Sequence, residues 1–354
     1  MASQSQSQSQ SQSQSQSQSQ SQSASRPAVL VTRAIFPDVI ERLAQYFDVD
    51  HNQPDVPLDA AALKARLAGK AGVLSNAADR IDADLIGALP QLRAVCNMAV
   101  GYNNLDLPAL TAAGIVATNT PDVLTETTAD FGWALLMATA RRVTESEHFL
   151  RAGKWERWSY DMFLGMDLHG STLGILGMGR IGQALARRAA GFGMTVLYHN
   201  RSQLPAEIEQ GLGARYVGKA ELLRESDHLM LVLPYSEQSH HAIGAAELAQ
   251  MKPTATLINL ARGGIVDDAA LAAALREKRL FAAGLDVFEG EPKVHPALLE
   301  VPNVVLTPHI ASASEKTRRA MANLAADNLI AALGAGPDAG RPPCALNPEV
   351  LARR

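Results

Sequence analysis

Four ionisable residues in the second half of the chain stand just after apolar runs, where strands of a parallel sheet would end: Arg262, Glu289, Glu291 and His309. Because the carboxyl ends of parallel strands converge on one cleft, we expect these side chains to meet there. The planar fork of arginine suits a carboxylate or carbonyl oxygen. Histidine can give a proton near neutral pH, and a neighbouring carboxylate stabilises the imidazolium. The set suits reduction of a 2-oxo acid, although the residues alone do not choose between Glu289 and Glu291.

A reductase also needs a place for a cofactor, and the stretch Leu173–Gly182 has the pattern Gly-x-Gly-x-x-Gly between a predicted strand and a predicted helix. This context is the one that a dinucleotide-binding turn requires. We expect Gly177 to make the tight turn, Gly179 to admit a pyrophosphate, and Gly182 to let the helix lie close to the strand. The pyrophosphate would lie at the helix N-terminus, where free N–H groups favour an anion.

The next predicted strand, Thr195–His199, ends in Asn200, Arg201 and Ser202. Many dinucleotide folds place an acid there, which binds the ribose hydroxyls of NAD. No acid occupies this tip, whereas Arg201 can pair with a 2′-phosphate. The sequence therefore predicts a preference for NADPH, with NADH as a possible substitute.

The elements that would position these residues alternate between short apolar strands and amphipathic helices. This alternation predicts an α/β fold with two Rossmann-like, doubly wound parallel-sheet domains and a cleft between them. We expect a disordered Ser-Gln leader over 1–26 and a substrate-binding domain over 27–125 plus 313–345. A dinucleotide-binding domain over 126–312 and a C-terminal tail over 346–354 complete the prediction. A long helix over Thr125–Ala140, capped by Thr125 or Thr127, would link the domains.

Composition excludes several other functions. The 354 residues carry a net charge of −4, so no basic field indicates nucleic acid, and no apolar run is long enough to cross a membrane. Two cysteines form neither a disulfide framework nor a metal site, which favours a reducing cytoplasm. His240 and His241 are adjacent, but the sequence shows no third ligand beside them, so we expect no metal.

The connector Arg151–Asp167 contains several aromatic residues, among them Trp155 and Trp158. Aromatic residues in a connector without helical or strand periodicity often mark an interface. We therefore expect a contact between subunits in this region.

These motifs resemble the D-isomer-specific 2-hydroxyacid dehydrogenase family, and within it the bacterial glyoxylate/hydroxypyruvate reductases that also reduce 2-ketogluconate. The resemblance covers roughly Ala28 to Leu333 and rests on six segments in order: 97–102, 119–121, 176–182, 259–263, 284–292 and 308–312. It implies NADPH-dependent reduction of small 2-oxo acids to D-2-hydroxy acids by a homodimer. A tryptophan from the partner shapes the pocket in some hydroxypyruvate reductases, and Trp158 is the candidate in this chain.

The resemblance also implies roles for individual residues. The catalytic set maps onto Arg262, His309 and Glu291, the glutamate directly before Pro292. Substrate contacts are expected from Ser75, Val100 and Gly101 together with Arg262 and His309. Cofactor contacts are expected from these residues: Thr128, Gly177, Gly179, Arg180, Ile181, Gly182, Asn200, Arg201, Ser202, Leu233, Pro234, Leu260, Ala261, Asp286 and Ala311.

Two other functions stay open at this point. One is an NAD-linked 2-hydroxyacid dehydrogenase of the phosphoglycerate type. The other is a redox-sensing corepressor, because the same fold also serves transcription. A corepressor would need a surface that binds peptides, which the sequence does not reveal.

Overall fold

The computed structural model of the protein describes residues 26–353. The predicted Ser-Gln leader, apart from Arg26, lies outside the described residues.

The first half of the chain forms a parallel sheet of five strands in the order β2-β1-β3-β4-β5. Its strands are β1 Ala28–Val31, β2 Asp48–His51, β3 Gly72–Ser75, β4 Ala94–Asn97 and β5 Val116–Thr118. Its connecting helices are α1 Pro37–Ala44, α2 Ala60–Leu67, α3 Ala83–Gly87 and α4 Leu107–Ala112. Strands β3 and β4 are buried along their whole length because helices cover the sheet.

The rest of the chain forms a parallel sheet of seven strands in the order β12-β11-β10-β9-β6-β7-β8. Its strands are β6 Thr172–Leu176, β7 Thr195–His199, β8 Ala214–Tyr216, β9 His228–Leu231, β10 Thr256–Asn259, β11 Ala282–Leu285 and β12 Val304–Leu306. Its smaller helices are α6 Val143–Arg151, α7 Arg180–Ala189, α8 Ala206–Leu212, α9 Lys219–Glu225, α10 Ala245–Leu248, α11 Asp268–Arg276 and α12 Pro296–Glu300. The α/β class with two parallel, helix-covered sheets is confirmed.

Two long helices carry the chain between the sheets. Helix α5, Thr125–Ala140, leaves β5 and packs on β10, β11 and α7, while α13, Glu315–Ala332, returns from β12 and packs on β3 and β4. The first turns of the two helices touch, because the hydroxyls of Thr127 and Thr317 share a 2.6 Å hydrogen bond. The predicted threonine cap of α5 is wrong: the N-cap position is Leu124, and no side chain caps the helix.

The fold contains elements that the apolar pattern misses. Strand β2 reads Asp-Val-Asp-His and lies at the edge of its sheet, where only one neighbour pairs with it. Helix α6 has no buried residue, so it carries no apolar stripe that faces a core, and the aromatic connector follows it directly.

The residues after 345, predicted as a tail, pack against β5. The amide of Leu346 donates to the carbonyl of Ala117 over 2.8 Å. The buried side chain of Asn347 accepts a hydrogen bond from the amide of Ala117 and donates to the carbonyl of Ile115. This segment therefore covers the edge of the five-stranded sheet.

Within residues 26–353, no helix combines the length and the apolar character that crossing a bilayer demands.

Candidate active site

His309 and Glu291 form the centre of the candidate site. The Nδ1 atom of His309 lies 2.8 Å from a carboxylate oxygen of Glu291, whose other oxygen accepts a 2.9 Å hydrogen bond from the amide of Phe288. Glu289, the alternative that the sequence left open, instead contacts His241 at 2.9 Å. The structure therefore pairs Glu291 with His309 and leaves Nε2 of His309 as the ring nitrogen that can face a substrate.

The charge of Glu291 is stabilised by its surroundings. Burial alone would raise the pKa of this carboxyl, but the hydrogen bond and charge of His309, the amide of Phe288 and the charge of Arg262 outweigh it. The pKa of Glu291 consequently lies below its ordinary value, so the residue is an anion at neutral pH.

The turn that presents His309 is held by a buried carboxylate. His309 has a left-handed backbone, with φ at 54°, which is uncommon for a residue other than glycine. Asp286 accepts hydrogen bonds from the amides of Ile310 and Ala311, both at 2.8 Å, and from the hydroxyl of Thr307 at 2.7 Å. Burial raises the pKa of Asp286 despite these bonds. Asp286, which was predicted to contact the cofactor, thus uses both of its oxygens to fix the histidine turn.

Arg262 follows β10 and reaches toward the other sheet. Its Nη1 atom donates to the carbonyl of Ala261 over 2.8 Å, and its Nε atom lies 3.4 Å from the side-chain oxygen of Asn103. A Cβ atom placed on Gly101 would lie 2.7 Å from Cζ of Arg262. A larger residue at position 101 would therefore displace the guanidinium of Arg262 from this place. Burial lowers the pKa of Arg262, against the opposing effect of the negative charge of Glu291.

The Val100–Gly101 loop offers backbone donors to an anion. Asn119 donates to the carbonyl of Val100 at 2.8 Å, and Asn97 donates to the carbonyl of Gly101 at 3.1 Å. Across residues 26–353, neither amide of this pair has an acceptor. With their carbonyls fixed and their N–H groups free, the two residues can bind a carboxylate beside Arg262.

The sequence did not predict the positions that Ser75 and two asparagines take in the structure. Ser75 was predicted to contact substrate, but it is fully buried, and its hydroxyl lies 3.4 Å from the side-chain oxygen of Asn97. Asn97 and Asn119, which the sequence did not single out as functional, fix the loop instead. Both belong to segments that carry the family resemblance. The sequence therefore pointed to these positions, but not to the hydrogen bonds that the two side chains make.

The glycine turn after β6 fits the pyrophosphate of a dinucleotide. Gly177 has φ at 106°, and a Cβ atom there would lie 2.7 Å from the amide nitrogen of Leu233. A Cβ atom on Gly182 would collide with the carbonyl oxygen of Gly177, whereas one on Gly179 would meet nothing within 4 Å. The first and third glycines are therefore needed for packing, and the second leaves open space at the N-terminus of α7.

At the tip of β7, Asn200 supports the glycine turn, whereas Arg201 and Ser202 are exposed. The side-chain oxygen of Asn200 accepts a 2.7 Å hydrogen bond from the amide of Met178, so Asn200 braces the glycine turn. Arg201 and Ser202 are exposed, and Arg201 makes no ion pair with any residue from 26 to 353. The nearby Glu209 accepts hydrogen bonds from Tyr198 and Gln203. The guanidinium of Arg201 is consequently free for a ligand.

The remaining residues predicted to contact the cofactor fall into two groups. Four are buried in the packing around the cleft: Thr128, Leu260, Ala261 and Ala311. Three lie nearer the surface: Ile181 is half-buried against the core, Pro234 is exposed, and Arg180 forms a 2.6 Å ion pair with Asp122, which follows β5. Arg180 thus connects the glycine turn to the five-stranded sheet.

Comparison with known proteins points in the same direction as this geometry. Residues 133–311 match the family described as D-isomer specific 2-hydroxyacid dehydrogenase, NAD binding domain. A glyoxylate reductase of Aeropyrum pernix is 51% identical over 315 residues, covering 86% of this chain and 92% of the relative. A glyoxylate reductase of Thermococcus onnurineus is 46% identical over 330 residues, covering 92% of this chain and 97% of the relative.

A solved structure is similar over the same extent. It is an NADPH-dependent glyoxylate/hydroxypyruvate reductase from Sinorhizobium meliloti, in complex with NADP and malonate. It is 39% identical, with a TM-score of 0.81, and the match covers 91% of this chain and 97% of that one. The similarity therefore includes both sheets and the cleft between them.

Proposed function

This chain belongs to the D-isomer specific 2-hydroxyacid dehydrogenase family, an NAD(P)-dependent class of oxidoreductase, and we propose that it reduces small 2-oxo acids to D-2-hydroxy acids with NADPH. The substrates we propose are glyoxylate, hydroxypyruvate and 2-ketogluconate. The single observation that carries the reaction is the hydrogen bond between His309 and Glu291 in the cleft that also holds Arg262. Because the relatives named above are reductases of glyoxylate and hydroxypyruvate, we place these two acids ahead of 2-ketogluconate as proposed substrates.

The proposed roles follow from the atoms that each residue leaves free. Arg262 and the amides of Val100 and Gly101 hold the carboxylate of the oxo acid, and the guanidinium also polarises the C2 carbonyl. The nicotinamide cofactor, when bound, supplies a hydride to C2. His309 gives a proton from Nε2 to the carbonyl oxygen, so hydride plus proton convert the ketone to an alcohol. Glu291 holds the imidazolium in place through Nδ1 and balances its charge.

We propose that the five-stranded sheet carries the substrate site and the seven-stranded sheet the cofactor site. We assign residues 27–125 with 313–345 to the substrate side, because the Val100–Gly101 loop follows β4. We assign 126–312 to the cofactor side, because the glycine turn follows β6. Helices α5 and α13 join the two sides and are bonded through Thr127 and Thr317.

The preference for NADPH is proposed on the tip of β7. Arg201 is exposed and unpaired among the described residues, and the tip carries no acid that would repel a 2′-phosphate. An arginine beside the ribose can bind that phosphate with two parallel hydrogen bonds. NADH lacks the phosphate, so it would bind without this contact.

A steady-state screen tests the proposal. The purified full-length chain is assayed with the three oxo acids, each with NADPH and with NADH, and the glycerate formed from hydroxypyruvate is resolved by chiral chromatography. We expect turnover of glyoxylate and hydroxypyruvate, a higher kcat/KM with NADPH, and D-glycerate as product. Absence of turnover on all three acids would contradict the reaction, and higher efficiency with NADH would contradict the cofactor assignment alone.

We also propose that the protein is a homodimer of the cytoplasm, where its two free cysteines would stay reduced. Helix α6 and the connector after it expose large apolar residues, among them Leu150 at 56% and Trp158 at 66%. Exposed apolar residues of this size are typical of a subunit interface, and a second copy is the partner we propose. Trp158 would then stand near the partner's pocket.

Sedimentation velocity of the wild type and of Leu150→Glu tests the dimer. We expect a dimer for the wild type and a shift to monomer for the variant. Val56→Glu is the matched control, because Val56 is 58% exposed in the loop after β2, beside the five-stranded sheet. A wild type that sediments as a monomer would contradict the proposal.

A further inference from the structure

Two histidines and a glutamate from separate loops meet beside the site described above. His240 and His241 lie in the loop between β9 and α10, and Glu289 follows β11. One possible ligand atom from each residue lies within 4.8 Å of those of the other two, and Nε2 of His241 is 2.9 Å from the carboxylate of Glu289. The sequence alone supplied no third ligand for the histidine pair, and folding brings in Glu289 from 48 residues away.

Each histidine has a polar side chain near its Nδ1 atom. Nδ1 of His241 lies 4.0 Å from the carboxylate of Asp267, on the other side of the ring from Glu289. Nδ1 of His240 lies 3.2 Å from the hydroxyl of Tyr235. Metal-binding histidines in proteins usually have such an outer partner, which fixes the tautomer and leaves the other nitrogen for the ion. Here the nitrogens away from Tyr235 and Asp267 are the two Nε2 atoms, and that of His241 contacts the carboxylate of Glu289.

The backbone around these residues is fixed as well. His241 has a left-handed backbone, with φ at 47°, and its amide donates to the carbonyl of Gly264 over 2.7 Å. The second carboxylate oxygen of Asp267 caps α11 through the amide of Ala270. The amide of Glu289 donates to Asp268 over 3.2 Å. The ligands therefore project from positions that the surrounding structure determines, as a binding site requires.

We propose that His240, His241 and Glu289 bind a divalent transition-metal ion of the Zn²⁺ class. Two imidazoles and one carboxylate form a donor set that suits Zn²⁺, Co²⁺ or Ni²⁺, and water would complete the coordination. Bond lengths of about 2.0–2.2 Å would require the exposed side chains of His240 and Glu289 to rotate inward. Glu291 stays with His309, so the ion would occupy a place separate from the reacting groups.

The nearest competing explanation is a hydrogen bond between His241 and Glu289 that binds no metal. Nε2 of His241 lies 2.9 Å from the carboxylate of Glu289, and the ring of His241 is stacked on that of His240 with centroids 3.9 Å apart. The stacking keeps a second imidazole beside the carboxylate, and imidazole is a common ligand of transition-metal ions. A titration with Zn²⁺ separates the two explanations.

Zn²⁺ binding to the full-length, tag-free chain is measured by competition with a chromophoric chelator. We expect one Zn²⁺ per chain, and at least tenfold weaker binding for His240→Ala and for Glu289→Gln. His148→Ala is the matched control, since His148 is an exposed histidine 3.9 Å from Glu147, and it should bind as the wild type does. Titration with Co²⁺ should add a visible absorption band that both site variants lose.

Three results would overturn the proposal: no Zn²⁺ bound by the wild type at millimolar concentration, unchanged affinity in Glu289→Gln, or an equal loss in His148→Ala. Because Glu289 and His240 are exposed, both variants are expected to fold, and circular dichroism checks this. The measurement does not depend on the reductase reaction, so failure of one proposal leaves the other intact.

Discussion

His309 and Glu291 are 18 residues apart in the chain, yet Nδ1 of the imidazole lies 2.8 Å from a carboxylate oxygen. Each comes from its own loop, after β12 and after β11, and those strands are neighbours in the seven-stranded sheet. The order of the strands in the sheet therefore brings the two residues together. It leaves one nitrogen of the ring for chemistry and ties the other to a carboxylate that is ionised at neutral pH.

Replacing His309 by glutamine should lower kcat by about 10²–10⁴, because the variant cannot supply the proton that the forming alcohol needs. Cofactor affinity, measured by fluorescence titration with NADPH, should change little. His148→Gln is the control for loss of a histidine at an exposed position. A variant with near-normal kcat would show that His309 is not the proton donor.

Glu291→Gln should lower kcat, because His309 loses the carboxylate that contacts Nδ1 and balances the charge of the imidazolium. Steady-state kcat with NADPH at saturating glyoxylate measures this. A variant with the kcat of the wild type would show that Glu291 has no effect on the proton donor.

The same variant tests the stabilising effect of the Glu291 charge. Since the folded pKa of Glu291 lies below its ordinary value of 4.5, its ionisation stabilises the fold above that pH. This contribution is lost as pH falls through the folded pKa. The difference in unfolding free energy between wild type and Glu291→Gln should therefore be constant near neutrality and shrink below about pH 4.5. Chemical denaturation at several pH values measures it, and a difference that grows on acidification would reverse the sign we assign.

Gly101→Ala should lower kcat/KM for the oxo acid by about 10², because the added methyl group takes the place of the Arg262 guanidinium. The effect should appear mainly in KM. Gly87→Ala is the matched control: a Cβ atom there meets nothing within 4 Å. If Gly101→Ala binds substrate as the wild type does, then Arg262 is not held against the loop during binding.

Arg201→Ala should lower kcat/KM with NADPH about 10- to 100-fold and leave the value with NADH nearly unchanged, since only NADPH has the phosphate. The two values are measured side by side at saturating glyoxylate. Arg224→Ala, at an exposed position on α9, controls for loss of a positive charge. Equal losses with both cofactors would show that Arg201 does not read the 2′-phosphate.

Asp286→Asn should destabilise the protein by about 1–3 kcal/mol and lower kcat, because an amide cannot accept from both backbone N–H groups and the hydroxyl of Thr307. Thr307→Val removes only the hydroxyl donor, so a smaller loss is expected. Thermal unfolding and kcat are measured for both. If Asp286→Asn loses neither stability nor kcat, the turn at His309 is held by something else.

The catalytic candidates were predictable because each stands where an apolar strand ends. Arg262 and His309 follow such strands, and parallel strands bring their carboxyl ends together whatever the intervening helices contain. The choice between Glu289 and Glu291 was different. It depends on the path of the loop after β11, and local residue types do not encode which carboxylate turns toward His309; only the family resemblance selected Glu291.

The supporting residues were less predictable because their partners are distant in the chain. Asn103 contacts Arg262 across 159 residues, and Ser75 is buried against Asn97 rather than facing the cleft. In the fold, β2 and α6 were missed for a related reason. Neither has an apolar side buried in a core, since an edge strand and an exposed helix bury little of their own surface.

The close approach of Gly101 and Arg262 has a consequence for affinity. The proposed anion site is assembled from two halves, with the backbone amides on a loop of one sheet and the guanidinium on a loop of the other. If the two sheets move apart, the amides and the guanidinium no longer form one site. The apparent dissociation constant for the oxo acid is therefore the intrinsic constant divided by the fraction of molecules in which the halves are together. Whatever increases that population, a bound cofactor included, tightens substrate binding without touching the substrate.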